Sequence, residues 1–129
     1  PLYSSAASDV YKRQVDRTTS FADGDIRGTI PRFSEENRAA NEALVGHVAS
    51  LAESKEASPG QIALAWLLAR EPWIVPIPGT RRTSRIAENA GATTVALSAD
   101  ELADLDQLAD RVGVQGDRYN PQQMSFVDR

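Results

Sequence analysis

The sequence predicts an α/β fold that is mostly helical and belongs to a larger domain. Three observations lead to this prediction: four segments carry helical periodicity or helix-capping motifs, one short apolar segment is a strand candidate, and no second strand candidate accompanies it. An isolated apolar strand leaves its backbone N–H and C=O groups without partners, so it needs neighbouring strands. The simplest interpretation is a truncated chain whose remaining strands lie upstream.

Composition limits the classes of function. The 129 residues are 41% hydrophobic and 25% charged, which is typical of a globular protein, and their formal net charge is −4. An acidic chain argues against a nucleic-acid partner, because such binders present a basic face to phosphates. There is no cysteine, which excludes disulfides and thiolate metal sites. With no apolar run long enough to cross a bilayer, we expect a soluble, cytoplasmic protein without a membrane partner.

The first 33 residues carry no clear secondary-structure pattern. Residues 1–14 form a polar, Ser- and Ala-rich stretch, which we interpret as a non-native, adapter-derived segment that precedes the domain at 15–129. Residues 15–33 are rich in Gly, Asp, Thr and Arg and are expected to form an irregular loop. Long loops in compact domains are often functional lids, and a loose N-terminal segment is the alternative.

Two helices are expected in the first half of the domain. The first begins after Ser34 with an acidic turn, and apolar residues then recur at helical spacing at Ala40, Leu44, Val48 and Leu51. The second begins at a capping box, in which Ser58 caps the helix, Pro59 suits its first position and Gln61 completes the motif. The residues that follow, up to Ala69, are apolar nearly all round, so this helix needs neighbours over most of its surface.

The strand candidate comes next, at residues 74–77. This segment is short and apolar, but Pro76 and Pro78 lack amide donors, which places it at the carboxyl end of a strand. After it, Thr83 or Ser84 is expected to cap a short helix that ends at Gly91 in the left-handed conformation.

A second capping box, from Ser98 to Glu101, predicts the start of the last helix, which ends near Gly113. Its apolar stripe consists of Leu102, Leu105, Leu108 and Ala109. The tail from Val114 onward is predicted to be irregular.

The turn between the strand candidate and the following helix is the candidate binding site. Arg81, Arg82 and Arg85 place three cations within five residues, and guanidinium groups pair well with phosphate oxygens. A helix N-terminus adds free amides and a partial positive charge. Gly79 would allow close approach of the backbone, and Thr80 adds a hydroxyl donor. The turn therefore predicts a phosphate site.

Three residues at the start of that helix share one face. Arg85, Glu88 and Asn89 stand at positions i, i+3 and i+4, so a cation, a carboxylate and an amide project together. Such a set could recognise a phosphorylated nucleoside whose base offers an amino group. The alternative is a solvated surface on which Arg85 and Glu88 form an ion pair contributing only ~0.3 kcal/mol.

Several motifs resemble those of the aldo-keto reductases. They are Arg32-Phe33, ASPGQIALAWLLA at 57–69, IVPIPGTR at 74–81, Glu88-Asn89, LSADEL at 97–102 and Gly116-Asp117-Arg118-Tyr119. The resemblance covers about residue 15 to the end, and its most specific part is the Ile-Pro-Gly-Thr and Glu-Asn segment. The family folds as an eight-stranded β/α barrel, a TIM barrel, which implies that residues 74–77 form the eighth strand and residues 61–70 the helix before it. Barrels of this class commonly bind phosphate after strands seven and eight.

The resemblance implies NADPH as the cofactor and an aldehyde or ketone as the substrate. By this resemblance the 2′-phosphate and ribose would be surrounded by Gly79, Thr80, Arg81 and Arg85, with Arg82 matching less closely, while Glu88 and Asn89 would face the adenine. The family transfers hydride without a metal and uses a set of Tyr, Asp, Lys and His, none of which is matched here. His47 lies among apolar residues of a predicted helix, where a structural or partly exposed role is expected in place of catalysis.

Two alternatives to a reductase remain at this level. One is a non-catalytic NADPH-binding regulatory subunit of the same superfamily, of which the potassium-channel β subunits are examples. The other is an unrelated helical module that binds a phosphorylated partner through residues 81–85 and has no NADPH dependence. As a reductase segment, the chain alone is expected to be inactive, poorly stable and prone to association through an exposed strand edge.

Overall fold

The computed structural model describes residues 18–117 and 119–126, and these residues form a helical assembly. The longer helices are α1 (Glu35–Ser54), α2 (Pro59–Leu68), α3 (Thr83–Gly91) and α4 (Ala99–Val112), and a single turn, α5 (Pro121–Met124), lies near the end. Short 3-10 turns occur at Ile26–Thr29, Pro31–Phe33 and Ala92–Thr94. Within the described residues no segment is a β-strand.

Side chains cap the starts of α1, α2 and α4. The Ser34 side chain accepts a hydrogen bond from the Asn37 amide at 3.3 Å. In α2 the Gln61 amide donates to Ser58 Oγ at 3.2 Å, and the Ser58 amide donates to Gln61 Oε1 at 2.8 Å. The box at Ser98 and Glu101 is also reciprocal, with distances of 3.2 and 2.7 Å. Each motif satisfies amides that the helix cannot pair internally, and the two predicted capping boxes, at Ser58 and at Ser98, are confirmed.

The core lies where α1, α2 and α4 meet. Its buried members are Val48 and Ala52 of α1, Ile62 and Trp66 of α2, and Leu105 of α4. Complete burial of a large apolar side chain contributes roughly 1.5–3 kcal/mol, which makes this cluster the main source of cohesion among the helices. The predicted stripe of α1 is confirmed at Leu44 and Val48, whereas Ala40 is exposed.

The helix α3 ends at Gly91 as predicted, but its predicted cap and the predicted left-handed conformation of Gly91 are wrong. Arg82, with an extended backbone and no side-chain cap, is the N-cap residue, and Thr83 is already helical. Gly91 has a right-handed φ of −60°, and the chain continues into the 3-10 turn. A Cβ atom at Gly91 would lie 2.7 Å from Gln61 Nε2. A side chain here would require the end of the Gln61 side chain to shift, so the close approach of α3 to α2 favours glycine, and left-handed geometry plays no part.

The predicted strand at 74–77 does not form in the described residues. Trp73, Val75 and Ile77 are 73%, 78% and 92% exposed, and the segment begins in a turn closed by the Ile74 amide and the Glu71 carbonyl at 3.1 Å. A strand requires hydrogen bonds to a neighbouring strand, and no described segment supplies them. The described residues therefore represent the helical part of the predicted fold, without the barrel sheet.

Segments at the two ends of the described chain pack against α1. The predicted loop contains two 3-10 turns, and Phe33 is buried against Phe21 and Ile30. The C-terminal tail, predicted to be irregular, contains α5. The buried Asn41 side chain holds it to α1: Asn41 Oδ1 accepts from the Gln115 amide at 2.8 Å, and Asn41 Nδ2 donates to the Gln115 carbonyl at 3.0 Å.

The segment 1–14 lies outside the described residues. Across residues 18–117 and 119–126, none of the helices has the length and apolar character that crossing a bilayer requires.

Candidate functional site

The candidate site consists of the turn at 79–82 and the first two turns of α3. The four residues of the turn are exposed, while Arg85, Glu88 and Asn89 are half-buried. The Arg82 amide donates to Thr80 Oγ1 at 3.2 Å, which folds the turn back on itself just before the helix begins. Thr80 thus shapes the turn, and its hydroxyl keeps one proton to donate.

The start of α3 has unused hydrogen-bonding capacity. No side chain caps the helix, and the amides of Arg85 and Ile86 are the first to bond back, to the Arg82 carbonyl at 3.0 and 3.3 Å. Among the described residues no acceptor is found for the amides of Thr83 and Ser84. Two free amides and the positive end of the helix dipole therefore face the same point, an arrangement that attracts an anion.

Three arginines lie close in sequence to this helix start. Arg81 and Arg82 are exposed, and the Arg85 side chain is 36% exposed one turn further along. In a chain whose formal net charge is −4, this is a local concentration of positive charge. A guanidinium group keeps its charge at all physiological pH values and offers several donors in a plane, so the three residues form a set suited to phosphate.

Arg85 and Glu88 are brought together as the i, i+3 spacing predicts. Arg85 Nη1 donates to Glu88 Oε1 at 2.6 Å and also contacts Oε2 of the same carboxylate. Glu88 has a second partner from another helix, because Ser58 Oγ donates to Glu88 Oε1 at 2.7 Å. The carboxylate is therefore held from two sides and is not part of a freely solvated surface pair.

The positions of Gly79 and Asn89 give little indication of a binding role. A Cβ atom at Gly79 would meet no atom within 4 Å, so this conformation does not require glycine. Asn89 is half-buried and follows Glu88 on the helix. The cofactor-binding role of the six residues singled out from the sequence stays a prediction; these are Gly79, Thr80, Arg81, Arg85, Glu88 and Asn89.

Ser58 is the residue that sequence reasoning assigned only to helix capping. Its hydroxyl accepts from Gln61 within α2 and at the same time donates to Glu88, 30 residues further along the chain. Local spacing accounts for the first contact and carries no information about the second. Ser58 therefore joins the candidate site through tertiary packing.

Neither the histidine nor a cluster of metal-ligand side chains forms a second candidate site among the described residues. His47 is exposed on α1. Over the part of the chain that the structure describes, no three His, Asp or Glu side chains are grouped closely enough to hold a metal ion.

Comparisons with known proteins give one consistent family. The sequence profile of the aldo/keto reductase family matches residues 7–110. This match begins inside the segment 1–14, whose origin stays a prediction. The chain is 38% identical over 121 residues to the aldo-keto reductase yakc [NADP(+)] of Schizosaccharomyces pombe. The aligned residues cover 94% of this chain and 34% of that protein.

Two further relatives agree with this match. The aldo-keto reductase str7 of Strobilurus tenacellus is 34% identical over 116 residues, covering 90% of the chain and 34% of the relative. An aldo-keto reductase of Gibberella moniliformis is 35% identical over 109 residues, covering 84% of the chain and 33% of the relative. The chain thus spans about a third of the length of these curated relatives. No solved structure gives a significant match.

Proposed function

Since the chain belongs to the aldo/keto reductase family, we propose that it supplies the segment that binds the adenosine 2′-phosphate of NADPH in an enzyme that reduces aldehydes or ketones. The observation that carries the proposal is the start of α3, where amides without a described acceptor lie next to Arg81, Arg82 and Arg85. Phosphates bind where free helix amides and guanidinium groups converge.

The chemistry of this donor set fits the adenosine end of NADPH. The 2′-phosphate would take the charged donors of Arg81 and Arg85, the helix amides and the Thr80 hydroxyl. The Glu88 carboxylate can accept a hydrogen bond from the exocyclic amino group of adenine, and Asn89 can donate to a ring nitrogen. Bound NADPH would supply the hydride. The S. pombe relative carries NADP(+) in its name, which supports this choice of cofactor.

We further propose that the catalytic residues lie outside this chain. No residue here is assigned to the Tyr, Asp, Lys and His set of the family, so the chain alone is expected to be inactive. The complete protein would fold as a TIM barrel with residues 74–77 as its eighth strand. Its expected setting is cytoplasmic, with a small carbonyl compound as substrate and without a nucleic-acid or membrane partner.

Replacement of Arg85 tests the cofactor assignment in the complete polypeptide that carries residues 18–126. Arg85→Ala should weaken NADPH binding by roughly 1.5–3 kcal/mol, the usual contribution of a hydrogen bond to a charged group, and should affect NADH far less. The measurement is the dissociation constant of each cofactor, by titration calorimetry. Arg111→Ala is the matched control, because it removes one exposed arginine from α4, outside the site.

The losses of NADPH and NADH binding in these variants decide whether the assignment of the site is correct. A loss confined to NADPH supports contact between Arg85 and the 2′-phosphate. Equal losses for both cofactors, or an equal effect of Arg111→Ala, would refute the assignment. A protein that binds neither cofactor would refute the proposed function.

A further inference from the structure

Ser58 contacts the proposed cofactor site from a different helix. We propose that Ser58 is a positioning residue that orients Arg85 through Glu88 and thereby contributes to the preference for NADPH over NADH. This inference rests on the proposed function. The carrying observation is a continuous series of hydrogen bonds from the Ser58 hydroxyl to the Glu88 carboxylate and from there to the Arg85 guanidinium.

The first step is the direction of the Ser58 hydroxyl proton. Ser58 is fixed as the N-cap of α2 by its reciprocal bonds with Gln61, and its oxygen accepts the Gln61 amide at 3.2 Å. A serine hydroxyl has a single proton to donate. That proton is used for Glu88 Oε1, at 2.7 Å. The same hydroxyl therefore caps α2 as an acceptor and contacts Glu88 as a donor.

The second step is the way Glu88 holds Arg85. Both carboxylate oxygens are contacted by the same guanidinium nitrogen, Nη1. Glu88 holds the guanidinium through Nη1 alone. Among the described residues no group is bonded to Nε or Nη2 of Arg85, so these donors are available to a ligand. Two N–H donors in a plane are what bidentate pairing with a phosphate uses. A carboxylate held in place by Ser58 therefore presets the orientation of those donors.

The third step is the closeness of the two helices. Glu88 reaches Ser58 because α3 lies directly against the start of α2, where Gly91 leaves room for the Gln61 side chain. The side chains of Arg85 and Glu88 are 36% and 24% exposed, so both are partly shielded from water. Charge-assisted hydrogen bonds restrict side-chain motion more effectively in such surroundings than on an open surface. The guanidinium thus loses less entropy when it binds an anion.

Replacement of Ser58 by glycine separates positioning from helix capping. Glycine at an N-cap costs only a few tenths of a kcal/mol relative to serine, so Ser58→Gly removes the donor to Glu88 with little effect on thermal stability. The complete polypeptide is titrated with adenosine 2′,5′-bisphosphate and with 5′-AMP, which differ only in the 2′-phosphate. Ser58→Gly should lower the preference for the bisphosphate about threefold to tenfold. Ser58→Thr keeps both uses of the hydroxyl and should restore the preference.

A double-mutant cycle tests whether Ser58 acts through Glu88. In an E88A background, S58G should cause no further loss of preference, because the group that links Ser58 to Arg85 is already absent. An additive loss would show that Ser58 acts by another route and would overturn the inference.

The remaining outcomes separate this inference from the proposed function. If R85A abolishes the preference and S58G leaves it unchanged, Ser58 has no positioning role and the proposed function stands. An equal loss of both ligands in S58G would show general disturbance of α2 and overturn the positioning role. If the unaltered protein shows no preference for the bisphosphate, the proposed function fails and this inference fails with it.

Discussion

Gly116 has a backbone conformation and surroundings that exclude a side chain. Its φ is +85°, in the left-handed region, and a Cβ atom would lie 2.6 Å from the Arg32 Cα atom. Its carbonyl also accepts a hydrogen bond from Arg32 Nε at 3.1 Å. The close approach of the tail to Arg32 therefore depends on glycine at this position.

Gly116→Ala is expected to destabilise the protein by about 2 kcal/mol or more, because backbone strain and a clash with another backbone segment both contribute. Gly24→Ala is the matched control: Gly24 has a φ of +84°, but a Cβ atom there would meet nothing within 4 Å. Gly24→Ala should lower the free energy of unfolding by only about 1 kcal/mol, because it introduces backbone strain without a clash. Urea denaturation of both variants measures the difference, and equal losses would contradict the clash with Arg32.

Contact between α2 and α4 depends on a polar group at the edge of the core. Asp106 Oδ1 of α4 accepts a hydrogen bond from Trp66 Nε1 at 3.0 Å and also contacts Arg70 Nη2. The Arg70 guanidinium lies over the Trp66 ring, with Cζ 4.0 Å from the ring centroid. Trp66 is only 7% exposed, so its N–H group has little access to water if Asp106 is lost.

Asp106→Ala should cost about 1–3 kcal/mol, because it removes the carboxylate that accepts from the Trp66 N–H group and pairs with Arg70. Asp106→Asn keeps an acceptor for Trp66 and removes only the charge opposite Arg70, so it should cost about 1 kcal/mol or less. Urea denaturation monitored by tryptophan fluorescence compares the two variants. If asparagine is as damaging as alanine, the ion pair with Arg70 is the dominant part of this contact.

The stability of the whole assembly is expected to depend on pH through Glu101. Lys55, at the end of α1, pairs with Glu101 of α4 at 2.8 Å. The hydrogen bond from Lys55, followed by the Ser98 amide, lowers the pKa of Glu101 from its usual 4.5. A lowered pKa in the folded state means that the ionised form stabilises the fold. This contribution is fully present above about pH 4.5 and is lost as the pH falls through the folded-state pKa.

Glu101→Gln should therefore reduce stability near pH 7 and flatten the decline in stability below pH 4.5, as measured by urea denaturation across pH 3–7. Glu53→Gln is the control, since Glu53 is an exposed carboxylate on α1. An unchanged acid slope in Glu101→Gln, or the same flattening in Glu53→Gln, would show that the pairing of α1 with α4 has no part in acid sensitivity.

At the scale of the whole molecule, the exposed segment at 73–77 is where local sequence preference and tertiary structure differ most. The residues are apolar and typical of a strand, yet Val75 and Ile77 are exposed, since strand formation requires a partner that the described residues do not provide. The expected association and low stability of the chain alone stay predictions. The same dependence on distant residues explains why the family resemblance implied a barrel while the described residues form helices and no strand.

What the sequence determined by itself is the set of features decided within a few residues. Two capping boxes, Ser58–Gln61 and Ser98–Glu101, and the Arg85–Glu88 pair form as their spacing predicts, because each joins groups three residues apart. Tertiary structure alone decided the approach of Gly91 to Gln61 and the contact of Ser58 with Glu88. These depend on how helices distant in sequence approach one another, and packing free energy, which local spacing does not encode, sets that approach.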